Sequence, residues 1–225
     1  MSFVANFALN ASRRPIFGVP VCDLDWNSAL SFVDELTRVP AQHTVISFLT
    51  ASNAKRTLAD PEYREALSGH LVFPQGSGMD SASLMAHGAK FPSILSPMEF
   101  VPALLTYMDK PKRIGLIGDD AESLEVARRS LMRHTPWHEF HAVTAPELDA
   151  ASFDLLLVGL QMTDQDAWVH RNVREDSARL VITVGKLFDM LAGKIPQVPE
   201  LLVKLRLGWL YRLCLEPHRL LPRRR

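Results

Sequence analysis

The chain has 225 residues, 47% hydrophobic and 22% charged, with 25 basic residues balancing 25 acidic ones. That composition belongs to a globular domain and excludes a disordered or low-complexity chain. No apolar run reaches the roughly 18 residues that a membrane-spanning helix needs, and Cys22 and Cys214 lie far apart in no metal-binding or redox spacing, as in a reduced cytosolic protein.

At the N-terminus, Arg13 and Arg14 follow the apolar stretch rather than precede it, so no secretory signal is expected. The first strand is read at Phe17–Cys22, followed by an amphipathic helix over Trp26–Arg38. A strand at His43–Leu49 leads into a helical stretch, Ala54–Ser68, within which Asp60-Pro61 supplies an N-cap and a first-turn proline for a new helix. Next come a strand at His70–Phe73, the turn Gln75-Gly76-Ser77-Gly78, and helices at Ser81–His87 and Pro97–Met108. The second half repeats the alternation: strand Arg113–Ile117, turn Gly118-Asp119-Asp120, helix Ala121–His134, and strands His138–Val143 and Leu155–Leu160. Helix Thr163–Asn172, strand Leu180–Val184, a turn at Gly185 and a last short helix complete it. Most strands are apolar on both faces, as in a parallel sheet covered by helices. The pattern predicts one Rossmann-like α/β domain over residues 1–195, its mostly parallel sheet carrying helices on both faces.

Residues 196–225 have no strand to pair with and read as a helical C-terminal appendage. Seven of the 25 basic residues and one of the 25 acids fall in 201–225, so the body upstream carries 18 basic and 24 acidic residues. A basic end on an acidic body suits a phosphate-rich partner or an anionic membrane surface. Leu201, Leu202, Leu205, Trp209, Leu210, Leu213 and Cys214 recur at helical spacing among the cations. They fit a helix packed on the core, or an interfacial helix with Trp209 and Tyr211 at headgroup level and Arg223, Arg224 and Arg225 on anionic lipid.

Glycines after strands let backbone N–H groups approach a phosphate at the next helix N-terminus, which singles out Gly76, Gly78, the Gly118 turn and Gly185. None completes a dinucleotide fingerprint. Gln165 and Asp166 start a helix after a strand, and Asn53 stands in a similar place; each can bind a sugar or nucleotide, or simply cap its helix. His138 and His141 face opposite ways on a strand, so no metal site is expected. No nucleophile elbow is present, and no nucleic-acid-binding module accompanies the basic tail.

At these residues the chain resembles the WecG/TagA/CpsF glycosyltransferases, from about Phe17 to Arg219. The family's strand and Asn-Ala segment are matched by TASNAKRTLADPEYREAL, and its DG-x-G turn by Gln75-Gly76-Ser77-Gly78. A pattern like VGLG-x-P-x-QE-x-W appears as VGLQMTDQDAW, with Gln165, Asp166 and Trp168 at or near the family residues. The G-x-FD-x-x-AG segment appears as Gly185–Gly193, and the closing signature as Trp209-Leu210-Tyr211-Arg212-Leu213, Glu216-Pro217 and Arg219-Leu220.

The resemblance implies a metal-independent, inverting transfer of a sugar from a UDP-sugar to a polyprenyl-diphosphate-linked acceptor, without a cofactor. It implies work at the inner face of the plasma membrane by a peripheral, self-associating protein that makes exopolysaccharide or another cell-surface glycan. Gly76, Gly78, Gln165 and Gly185 are then expected at the donor, Asn53 and Asp166 at the sugar or acceptor hydroxyl, and Arg212 and Arg219 at the diphosphate. The chain departs from the pattern where Gln75 replaces the acidic residue of the DG-x-G turn, since an amide cannot take a proton from a hydroxyl. Glu99 replaces the aspartate of an R-x-x-G-x-D segment whose arginine and glycine are absent, Gln197-Val198-Pro199 replaces Arg-Ala-Pro, and Gly208 replaces a glutamate. These changes leave open another base, with Asp80 and Glu99 nearest, or another donor or acceptor. They equally leave open a family member without catalysis that binds a nucleotide sugar or scaffolds a polysaccharide assembly system.

Overall fold

The computed structural model describes residues 12–38, 43–143, 152–161 and 165–195. Among them, eight strands form one sheet in the order β1-β2-β4-β3-β8-β7-β5-β6: β1 (Arg13–Ile16), β2 (Val19–Cys22), β3 (Thr44–Leu49), β4 (Leu71–Pro74), β5 (Arg113–Gly118), β6 (Glu139–Ala142), β7 (Phe153–Gly159) and β8 (Ala178–Thr183). Every pairing is parallel except the hairpin of β1 and β2. The helices are α1 (Trp26–Leu36), α2 (Ala51–Arg56), α3 (Pro61–Ser68), α4 (Ser77–His87), α5 (Pro97–Tyr107), α6 (Ala121–His134), α7 (Gln165–Asn172) and α8 (Leu187–Leu191). The α/β fold with a mostly parallel sheet and helices on both faces is thus as expected.

Some details differ from the sequence reading, among them the start of α4 at Ser77 rather than Ser81, which takes Ser77 and Gly78 out of the expected turn and into the helix. The strand expected from Phe17 begins at Val19, because Phe17 and Gly18, with φ of 49° and 82°, form the two-residue turn of the hairpin. Positive φ at both turn residues matches the twist of the flanking strands. Its other arm, β1, escapes the apolar pattern because RRPI is half polar and contains a proline, which an edge strand accepts. The stretch Ala54–Ser68 divides into α2 and α3, with the Asp60 side chain accepting the Tyr63 N–H and Pro61 in the first turn, as the Asp60-Pro61 signal indicates.

The alternation along each strand builds one core cluster on the first face of the sheet and two on the second. One face carries Phe48, Phe73, Leu116, Leu157 and Ile182 against α1, α5, α6 and α8, with the Phe48, Phe73 and Phe100 rings 5.8–6.0 Å apart. The other carries Val21, Leu49 and Val72 against α2, α3 and α4, and Val45, Leu156, Val158 and Val181 against α7. After β5 the chain crosses by α6 outward to β6, whereas after β7 it crosses by α7, on the opposite face, inward to β8. The two crossovers part between β5 and β7, and a crevice beyond the carboxyl ends of the strands at such a switch point is where open α/β sheets bind ligands.

Candidate functional site

Along the carboxyl edge the strand ends fall in the order β4, β3, β8, β7, β5, so loops far apart in sequence become neighbours. β7 ends on Gly159 and β5 on Gly118, level with each other in the sheet, and Gly185 follows β8 with φ of 53°. Phe188 of α8 packs directly beneath them. A Cβ on Gly159 would stand 2.6 Å from the Phe188 ring and 3.0 Å from the Gly185 carbonyl oxygen, and one on Gly118 would stand 3.3 Å from the same ring. Glycine here meets a need for space, which leaves bare backbone at the mouth of the crevice.

Polar groups rim this part. The Gln161 N–H donates to Asp119 Oδ2 and its side-chain amide to Asp189 Oδ2, each at 2.5 Å. Asp189, in the first turn of α8, is only 8% exposed. Gln165 turns its Oε1 back to accept the Leu160 N–H at 2.9 Å, fixing the loop that leaves β7. Asp120 caps α6 through the Ser123 N–H and accepts from Lys194 Nζ at 2.6 Å; that lysine bond first, then Ser123, holds its carboxyl well below the usual carboxylate range.

The neighbouring part belongs to β3 and β4. The Gln75 N–H donates to the Leu49 carbonyl at 2.9 Å, tying the two strand ends together, and Gly76 opens α4 with φ of 81° and no side-chain cap. Asn53 lies in the first turn of α2, which Thr50 caps. A Cβ on Gly78 would stand 3.0 Å from that of Ala51, so glycine there lets the starts of α2 and α4 meet. Asp80 accepts the Phe91 N–H at 3.3 Å and so braces the loop after α4, whereas Glu99 is exposed in the first turn of α5.

Of the residues singled out from sequence, Asn53, Gln75, Gly76, Gly78, Gln165 and Gly185 therefore share one edge, with Glu99 opening the helix that follows it. Asp166 takes a different place. It is buried between α3, α7 and the sheet, where it accepts the Ser47 hydroxyl at 2.7 Å and the Tyr63 hydroxyl at 3.1 Å. Burial raises its pKa. Gly159 and Gln161 lie in the VGLQMTDQDAW segment and Asp189 in Gly185–Gly193, without a site role assigned to them there, and Lys194 stands just beyond; membership of those segments and the position of Gly159 at a strand's end are the available signals. Arg212, Arg219, Trp209, Tyr211, Arg223, Arg224 and Arg225, with the whole appendage, lie outside the described residues.

The Asp166 network reaches His70. Ser47 spends its proton on Asp166, so His70 Nδ1 donates to Ser47 Oγ at 2.9 Å and Nε2 is the bare nitrogen, buried without a hydrogen-bond partner among the described residues. Burial pushes the His70 pKa from 6.5 down to about 4. The unfolded chain therefore binds the extra proton first, and stability present above pH 6.5 is lost as pH falls towards 4, by roughly 3 kcal/mol in total. Asp166, with its raised pKa, acts in the opposite sense and is common to wild type and a His70 variant. Denaturant titrations at several pH values should show wild type losing about 3 kcal/mol more than His70→Asn over that window. Parallel pH profiles would contradict the buried neutral ring.

Among the described residues, no group of His, Cys, Asp and Glu is arranged to hold a metal ion, and no helix is long and apolar enough to cross a membrane. The family model for the glycosyl transferase WecG/TagA/CpsF family matches residues 14–224. The chain is 22% identical over 217 residues to the N-acetylglucosaminyldiphosphoundecaprenol N-acetyl-beta-D-mannosaminyltransferase of Bacillus spizizenii, covering 89% of this chain and 84% of that protein. It is also 22% identical over 215 residues to the enzyme of the same name from Bacillus subtilis, covering 91% and 84%.

Proposed function

The chain belongs to the WecG/TagA/CpsF family of glycosyl transferases, and from that membership we propose that it moves a sugar from a UDP-sugar to a polyprenyl-diphosphate-linked acceptor in the synthesis of exopolysaccharide or another cell-surface glycan. The observation that carries the reading is the continuous carboxyl edge, where bare backbone at Gly118, Gly159 and Gly185 adjoins the Gln75–Gly78 turn and Asn53. The two relatives' names specify an acceptor of this class, N-acetylglucosamine on a lipid diphosphate.

In this account the acceptor hydroxyl attacks the anomeric carbon of the donor, the bond to the UDP oxygen breaks, and the configuration inverts. Backbone N–H groups at the glycine turns face the donor diphosphate, with Gln165 fixing the loop beside it. Arg212 and Arg219 offset the charge that develops on the leaving diphosphate, so that no metal ion is required. The basic tail, with Trp209, Tyr211 and Arg223–Arg225, holds the protein peripherally on the inner, anionic face of the membrane where the lipid-linked acceptor lies. Self-association helps to complete the site.

Gln75 cannot serve as base. Asp80 turns its Oδ1 to the Phe91 N–H and braces a loop, so the exposed Glu99 is assigned to take the acceptor proton. The test is transfer by the full chain, with chelator present, from a panel of UDP- and GDP-sugars to a short polyprenyl-diphosphate N-acetylglucosamine. Product one sugar heavier is expected with a UDP donor, and Glu99→Gln should slow its formation by about 10²–10⁴ without shifting the melting temperature. Donor binding without product in wild type would favour the alternative, a catalytically silent member that binds nucleotide sugars or scaffolds an assembly system. Product unaffected by Glu99→Gln would remove Glu99 as the base.

A further inference from the structure

Gln161 ties three parts of the crevice mouth together. It leaves the end of β7, its N–H is held by Asp119 after β5, and its amide reaches α8 to donate to Asp189. An exposed glutamine ordinarily loses more side-chain freedom than it gains by such a reach, unless the acceptor is charged. Here both acceptors are carboxylates, and Asp189 is over nine-tenths buried. Beside the strap lie Gly118 and Gly159, whose missing side chains make way for the Phe188 ring of α8, the helix that carries Asp189.

We propose that Gln161 determines what the donor cleft admits: its amide occupies, on Asp189, the position of a ligand hydroxyl, and it must turn away before a nucleotide or sugar ring settles there. The inference rests on the nucleotide-sugar reading above. An amide N–H and a sugar O–H each donate one hydrogen bond to the same carboxylate oxygen, so exchange of one for the other conserves the charge-assisted bond. The ligand therefore gains little from Asp189 in wild type. Removing the amide leaves the carboxylate waiting for the hydroxyl, and affinity rises. A neutral strap also rejects ligands that bring no donor to this point, which makes it a filter as well as a competitor.

The test is calorimetric titration of wild type, Gln161→Ala and Gln161→Gly with UDP, with its 2′-deoxy and 3′-deoxy analogues, and with UDP-sugars. Both variants should bind about fivefold to tenfold more tightly than wild type, while their ligand-free melting temperature falls because the buried Asp189 loses its donor. A gain seen with UDP and lost with a deoxy analogue assigns the hydroxyl to ribose. A gain seen only with UDP-sugars assigns it to the transferred sugar. In wild type, the Gln161 side-chain amide resonances should move on binding towards those of a free glutamine. Equal or weaker binding by both variants, while wild type binds, would overturn the proposal and leave the nucleotide-sugar reading standing. Absence of binding by all three proteins would overturn both.

Discussion

Gly159→Ala is expected to destabilise the protein by about 2 kcal/mol and to weaken nucleotide binding at least tenfold. The added methyl would stand 2.6–2.7 Å from two atoms of the Phe188 ring and 3.0 Å from the Gly185 carbonyl. Overpacking of a closed core costs about 1–3 kcal/mol because side chains must leave their rotamers or backbone must shift. Phe188 is buried against Gly118 as well, so its escape carries α8 along, and with it Asp189 and the Gly185 turn. Phe188→Leu relieves the clash. In a double-mutant cycle the pair should therefore cost less than the sum of the single changes, by 0.5 kcal/mol or more. Additive costs would mean that Gly159 and Phe188 are not packed as described.

Asp166→Ala should cost about 3–4 kcal/mol, the largest loss expected for any single polar side chain here. It strands two buried hydroxyls, of Ser47 and Tyr63, each left without its acceptor at about 1–3 kcal/mol. The effect spreads because Ser47 also receives His70, and because Asp166 opens α7, whose Gln165 fixes the loop after β7. Asp166→Asn keeps one acceptor and should lose less. The same variants separate two roles for this residue. A positioning carboxylate predicts that stability falls strongly while kcat of the folded fraction changes less than tenfold. A carboxylate that takes part in the chemistry predicts the reverse, with Asn stable and inactive.

How this residue sits explains what was legible in the sequence. Seven of the strands declare themselves as short apolar runs, most of them apolar on both faces because a parallel sheet buries both; β6, an edge like β1, buries only Phe140. The mixed β1 did not, since an edge strand has no such requirement. The glycines at Gly76, Gly78 and Gly185 are visible for a local reason: Gly76 and Gly185 follow a strand by two residues and Gly78 by four. Asp166 looks like a helix-start residue aimed at solvent or ligand. Its inward direction depends on Ser47 and Tyr63, more than 100 residues away in sequence. Gln161 and Asp189 are joined over 28 residues by the register of β7 and β8, and no local pattern encodes that meeting.

The central claim is that the carboxyl edge around Gly118, Gly159 and Gly185 is a donor site. Hydrogen exchange read by mass spectrometry, on the full chain with and without a UDP-sugar, tests it most directly. The account predicts slowed exchange in peptides covering residues 118–120, 159–161 and 184–187, with peptides at the opposite ends of the same strands unchanged. Protection confined to that opposite edge, or none at saturating ligand, would contradict it.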